Sequence, residues 1–176
     1  MDADQGWLRA LELDLDALAQ AETDLDRDAE VAERIRIERS SVHLFDRVLA
    51  AGGRADIQTR VGQRVAGTVI DGAQEWLIIE CSPDVRALIP KHAVAWIRSL
   101  GPGSRAGGIL HSRTIASVYR QWARDRAEVR LHLADRSEFI GRLGAAYADH
   151  IDVLTAEQGS YSIAYDVIDL VLRETD

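Results

Sequence analysis

The residues able to do chemistry in this chain are few and scattered. Five histidines, His43, His92, His111, His132 and His150, are the obvious metal ligands or general bases. None has a cysteine or carboxylate at ligand spacing, so no metal site is expected. Asp14-Leu15-Asp16 and Asp24-Leu25-Asp26 pair carboxylates two positions apart. On a helix such side chains point away from each other and make no shared acid–base site. The lone cysteine, Cys81, rules out an intrachain disulfide and fits a reducing compartment. Beside an apolar run it reads as a buried, inert thiol. Gly101-Pro102-Gly103 lacks the preceding strand and following helix of a phosphate loop, and no Gly-x-Ser-x-Gly or dinucleotide fingerprint occurs. The expectation is a non-enzymatic protein with no catalytic residue and no cofactor.

Charge and apolar stripes remain. Between Arg98 and Arg130 there are seven arginines against Asp125 and Glu128, the one basic stretch of a chain whose formal net charge is −8. Arg105, Arg113, Arg120, Arg124 and Arg126 are therefore candidate contacts for the phosphates of RNA or DNA. The alternative is a solvated surface, or partners for acidic residues elsewhere. Residues 7–38 contain neither glycine nor proline and predict an acidic helix. Leu11, Leu15, Leu18 and Leu25 form a short heptad-like stripe on it. That stripe either packs across the chain's own sheets or pairs with its copy in a homodimer.

The elements that must position these residues come in two copies. Shifting the chain by 74 positions lays residues 41–98 on 115–172 without a gap, matching the apolar pattern rather than identities. Val42, Phe45, Val48 and Leu49 recur at helical spacing, and Gly52-Gly53 ends that helix. Ala55, Ile57, Thr59 and Val61 alternate as a strand, as do Val65, Gly67 and Val69. Asp71-Gly72 predicts a turn. Trp76–Ile79, Ala87–Ile89 and Ala93–Ile97 supply three more strands, with Pro90 closing the middle one. Trp76 and Trp96 read as core residues, with a place at the rim as the alternative. The second copy repeats the plan from Val118 to Leu172, and Gly67 and Gly141 occupy matched strand-interior positions where a bend or close backbone approach is expected.

A helix, five short bent strands and one tight turn, Pro90-Lys91-His92-Ala93, before the last strand resembles the Sm-like fold over two stretches of about 55 residues. The family's RNA-binding residues are not matched: the third strands, Glu75–Ile79 and His150–Val153, lack its Asn, and the fourth strands end Ile89-Pro90 and Ile163-Ala164 without Arg-Gly. Glu75-Trp76-Leu77-Ile78 and Leu88-Ile89-Pro90 are also similar to a group of uncharacterised proteins from high-GC bacteria labelled Fis-type transcriptional regulators. A Fis-type protein ends in a helix-turn-helix, whereas the last ~25 residues here alternate as strands.

The resulting expectation is an α+β, mainly β protein: a long N-terminal helix followed by two Sm-like or SH3-like small barrels, each preceded by a short helix. Its parts are residues 1–40 (acidic helix), 41–98 (first repeat), 99–113 (Gly/Pro/Ser linker) and 114–176 (second repeat). The acidic start, Met1-Asp2-Ala3-Asp4, is unlike a signal peptide and no apolar run reaches membrane length, so a cytoplasmic protein without membrane contact is expected. Functionally the sequence points to a nucleic-acid-associated regulatory protein. The alternative is a protein-interaction or oligomeric assembly module, working through the N-terminal helix or the sheet edges.

Overall fold

The computed structural model describes residues 20, 27, 30–37, 39–40, 42–98, 113–156 and 159–174. The chain divides into two compact units, residues 1–41 and residues 42–176. In the first unit the longest described helical run is 30–37. Leu11, Leu15, Leu18 and Leu25 lie outside the described residues, as does Arg105.

The second unit is built on strands. Helix α1 (Leu44–Ala51) is followed by β1 (Arg54–Thr59), β2 (Arg64–Ala73), β3 (Trp76–Ser82), β4 (Val85–Pro90) and β5 (Val94–Arg98). Then come α2 (Ile115–Arg124), β6 (Glu128–Leu133), β7 (Glu138–Ala146), β8 (His150–Thr155), β9 (Gly159–Ala164) and β10 (Ile168–Glu174). Single 3-10 turns, Lys91–Ala93 and Tyr165–Val167, join β4 to β5 and β9 to β10. The bounds repeat at the offset seen in the sequence: Arg54–Thr59 against Glu128–Leu133, Val85–Pro90 against Gly159–Ala164.

The expected architecture is corrected at the level of the sheet. The strands do not form two separate barrels behind a long helix. They form one ten-stranded sheet in the order β5-β1-β2-β3-β4-β10-β6-β7-β8-β9, antiparallel at every step. The splice is β4 on β10, with Val171 opposite Leu88, Leu172 opposite Ala87, Arg173 opposite Arg86 and Glu174 opposite Val85. Two open edges, each a row of unpaired N–H and C=O groups, satisfy one another there.

Two apolar clusters fill the fold, and each borrows from the other half. Phe45 and Val48 of α1 cover Ile57, Leu77, Ile79, Ala87 and Ile89, and Leu170 of β10 joins them. Val118, Tyr119 and Trp122 of α2 belong with Leu131, Ile151, Val153 and Ile168, and this cluster takes in Trp76, Ile78 and Leu88 of the first half. Leu88 is fully buried and Leu170 is 2% exposed. Burial of side chains of this size contributes about 2–3 kcal/mol each, so the splice is a core and not a surface contact.

Two local readings also change. Asp71-Gly72 is not a turn: β2 runs through it, Gly72 pairs with Leu77, and the chain reverses at Gln74-Glu75. A register shift between Val69 and Asp71 lets the strand continue. Trp96 is not a core residue; it is 41% exposed, while Trp76 is fully buried. At Gly67 the close approach is real, since an added Cβ would strike the carbonyl of Glu80 and lie 2.8 Å from Ile79 Cγ2. Gly141 stands in the same relation to the Leu154 carbonyl.

Candidate functional site

Among the described residues, Arg113 lies at one end of α2, with Arg120, Arg124 and Arg126 toward the other. Arg113, just before α2, is held by several neighbours although its side chain is 38% exposed. Its Nη1 donates to Asp71 Oδ2 at 2.9 Å, its Nη2 donates to Gln121 Oε1 at 2.9 Å, and its guanidinium lies 5.6 Å over the Trp76 ring. Its carbonyl accepts the Trp76 indole N–H at 2.9 Å. This residue fastens the start of α2 onto β2 and β3. Arg120 turns back along its own helix, Nε donating to the Ala116 carbonyl at 3.1 Å. Arg124 and Arg126 are exposed at the far end of α2, where Arg126 takes a left-handed φ of 53°. The ten residues of α2 separate them from Arg113 by roughly 15 Å.

The titratable groups are equally dispersed. His92 Nε2 lies 3.0 Å from the Ile168 carbonyl, and His150 Nδ1 lies 2.7 Å from Asp149 while its ring stacks on Tyr147. His132, on β6, has its pKa pushed down by burial and by Arg130, against the pull of Glu138 at 3.4 Å. Cys81 corrects another expectation: the residue is exposed, although desolvation still raises its thiol pKa above the ordinary value. Among the described residues no group of three His, Cys, Asp or Glu could hold a metal ion. A groove of about 170 Å³, lined by Val85, Val129, Ile140 and Leu172 with Glu128, Arg130 and Glu174 at its rim, lies where β4, β10, β6 and β7 meet. Small-molecule sites usually start near ~300 Å³, so the groove is too small to enclose an ordinary metabolite.

The feature that stands out is the splice between β4 and β10 and what surrounds it. Asp169 is fully buried beside it and is held by Arg60 from the β1–β2 turn, Nε at 2.8 Å and Nη2 at 2.7 Å from the same Oδ1. The Arg60 Nη2 also donates to the Asp166 carbonyl at 3.1 Å. With the His92 contact to Ile168, three side chains latch the two halves across their shared sheet. A buried carboxylate tolerates this place only because the guanidinium faces it.

The duplicated strands offer an internal comparison. Residues 87–90 of β4 and 168–171 of β10 are all buried. Their counterparts 74 positions away include exposed Ser162 and Ala164 on β9 and exposed Ala95 and Trp96 on β5. Among the described residues β5 pairs only with β1, and β9 pairs only with β8. The same strand of the repeat is therefore covered in one copy and open in the other. Sequence reasoning looked for charge and missed this pairing, although the unbroken apolar runs Ala87–Ile89 and Val167–Ile168 with Leu170–Leu172 were its signal. Strands buried on both faces read as continuous, not alternating. No helix among the described residues is long and apolar enough to cross a membrane. No protein-family model matches the chain, and no curated protein matches it.

Proposed function

We propose that the chain is a non-enzymatic, cytoplasmic assembly module that works by joining sheets edge to edge. The observation that carries this reading is the β4–β10 splice: an interface between two repeats, made by strand pairing and exchanged core residues, already exists inside the chain. The two ends of the sheet present the same kinds of strand with no further partner among the described residues. An edge strand of this sort is a ready template for another chain. The nucleic-acid reading draws less support, because Arg113 is engaged within the fold and Arg120 bonds a carbonyl of its own helix, which leaves Arg124 and Arg126 at the far end of α2.

The test is the mass of the full chain in solution by light scattering or sedimentation, alone and with mixed short RNA and DNA at low and high salt. The expected result is an oligomer indifferent to nucleic acid. Lysine placed on the exposed edges, Ala95→Lys with Ser162→Lys, should reduce it to a single chain. A monomer at every concentration would refute the proposal. So would a salt-sensitive nucleic-acid complex weakened by Arg124→Ala and Arg126→Ala, which would transfer the function to those residues.

A further inference from the structure

We infer that the groove where β4, β10, β6 and β7 meet is a docking site for an extended segment of a partner protein. That segment carries a leucine-sized apolar side chain and, two positions on, an arginine or lysine. The groove lies on the face of the sheet and not at its ends, so this inference stands whether or not sheets join edge to edge.

Two rows of side chains build the groove. Leu172 stands opposite Arg130 and Arg130 opposite Ile140, so these three lie side by side across β10, β6 and β7. Two positions further along β10 comes Glu174, which pairs with Val85 of β4. Continuing the β10–β6 register by one pair beyond Arg173 and Val129 sets Glu174 opposite Glu128. The groove is thus apolar at Leu172, Ile140 and Val85 and acidic at Glu174 and Glu128. Arg173, between the two rows in sequence, points to the other face, where it meets Asp125 and the Trp122 ring.

The charges select a cation. Arg130 is taken up by Glu138 at 2.6 Å. Neither Glu128 nor Glu174 has an ion pair among the described residues, Arg142 opposite Glu128 on β7 included. Like charges set directly opposite each other on a sheet are unfavourable, and a guanidinium or ammonium placed across them removes the repulsion. Beside that pair Ile140 is 53% exposed, a large apolar side chain open to solvent. The two rows are two residues apart along the strand, about 6.6 Å. An extended segment with a leucine at one position and a basic residue two further on repeats that spacing on a single face. A groove of about 170 Å³ takes one such apolar side chain, although it is too small for a free metabolite.

The duplication supplies a control, because the lining is not a by-product of the repeat. At the offset of 74 positions Ile140 is replaced by Ala66, Leu172 by Arg98, Val85 by Gly159 and Glu128 by Arg54. The first repeat therefore keeps the strands but has neither the apolar floor nor the sign of charge. The groove is also made from both sides of the splice, with Val85 from β4 and Leu172 and Glu174 from β10. It exists only when the two repeats have closed on each other. Its occupant therefore binds the joined sheet and holds it closed.

The experiment titrates the full chain into a dye-labelled peptide, Ala-Leu-Ala-Arg-Ala-amide, and reads fluorescence anisotropy. Saturable binding that weakens as salt is added is the expected result. Ile140→Ala changes an exposed side chain to the one the first repeat carries, so it spares the fold, and it should weaken binding about tenfold. Glu128→Gln and Glu174→Gln should each weaken it about threefold. A control peptide with glutamate in place of its arginine should not bind. Absence of saturable binding, or binding that Ile140→Ala leaves unchanged, would overturn the inference. So would a fall in the light-scattering mass of the Ile140→Ala protein, since the groove would then seat a second copy of the chain. The Ala95→Lys, Ser162→Lys protein should bind the peptide as tightly as its parent, which separates this site from edge-to-edge assembly; a loss of binding there would overturn the inference as well.

Discussion

Removing the Arg60 side chain tests the splice directly. Asp169 is fully buried, its Oδ1 receives both Arg60 contacts, and its Oδ2 has no partner among the described residues. Arg60→Ala leaves that carboxylate in the sheet with nothing to offset its lost hydration. Breaking a wholly buried pair costs about 3–5 kcal/mol. The Arg60 side chain is 40% exposed, so water reaches one side of the pair, and the discounted expectation is about 2–3 kcal/mol. Asp169→Ala should cost less, about 1 kcal/mol, because the guanidinium keeps the Asp166 carbonyl and solvent. The double variant should resemble Asp169→Ala alone, giving a coupling of about 2–3 kcal/mol. It also reproduces the alanine pair, Ala134 and Ala95, that the duplicated positions carry. Urea unfolding followed by the fluorescence of buried Trp76 and Trp122 reads the result. With a slope near 2 kcal/mol per molar, Arg60→Ala should lower the midpoint by about 1 M. A shift below about 0.25 M, or a double variant as destabilised as the sum of the singles, would refute the claim that this ion pair closes the splice.

Three further outcomes follow from the same coordinates. His132 is held neutral by burial, so the unfolded chain binds a proton near the ordinary pKa of about 6.5 before the folded one does. Its contribution is fully present above that value and is lost as pH falls toward the lowered folded pKa. His132→Gln should flatten the fall in urea midpoint between about pH 7 and pH 5.5. Gly67→Ala should cost about 2–3 kcal/mol in the same assay, since the Glu80 carbonyl cannot move without breaking the β2–β3 register. Gly53→Ala meets no atom within 4 Å, and its φ of 81° should limit the loss to about 1 kcal/mol.

The two repeats were legible because their information is local. Alternation in Ala55–Thr59, the glycine pair ending α1 and the offset of 74 positions all speak of neighbours in sequence. The splice was not, because Val85–Leu88 meets Val171–Glu174 across most of the second unit. Asp169 disguised it further by placing a carboxylate inside an apolar run, where only the distant Arg60 explains it. Arg113 illustrates the same limit. Its position in a basic stretch suggested phosphate, and only tertiary structure brings Asp71 and the Trp76 ring to it. Trp96 carries the opposite lesson, since alternation gives a strand's two faces and not whether a neighbour covers its edge. The leucine stripe at Leu11, Leu15, Leu18 and Leu25 falls outside the described residues, so the helix-pairing idea stays where the sequence left it.

The position of β10 in the sheet has a consequence for how the protein is made. The last described strand of the chain is spliced between β4 and β6, near the centre of the sheet. On a ribosome, β4 emerges more than 80 residues before the strand that covers it. At about 5–20 residues per second that edge waits roughly 4–17 s, with Ala87, Leu88 and Ile89 facing solvent or the next nascent chain. During that interval β4 has β3 on one side and nothing on the other, and any copy in the same polysome offers a competing strand. Arg86, near the start of β4, places a charge on the waiting edge and discourages such a partner until Arg173 and Glu174 arrive. Translation speed through the second repeat thus becomes a determinant of whether the sheet closes within one chain or between two.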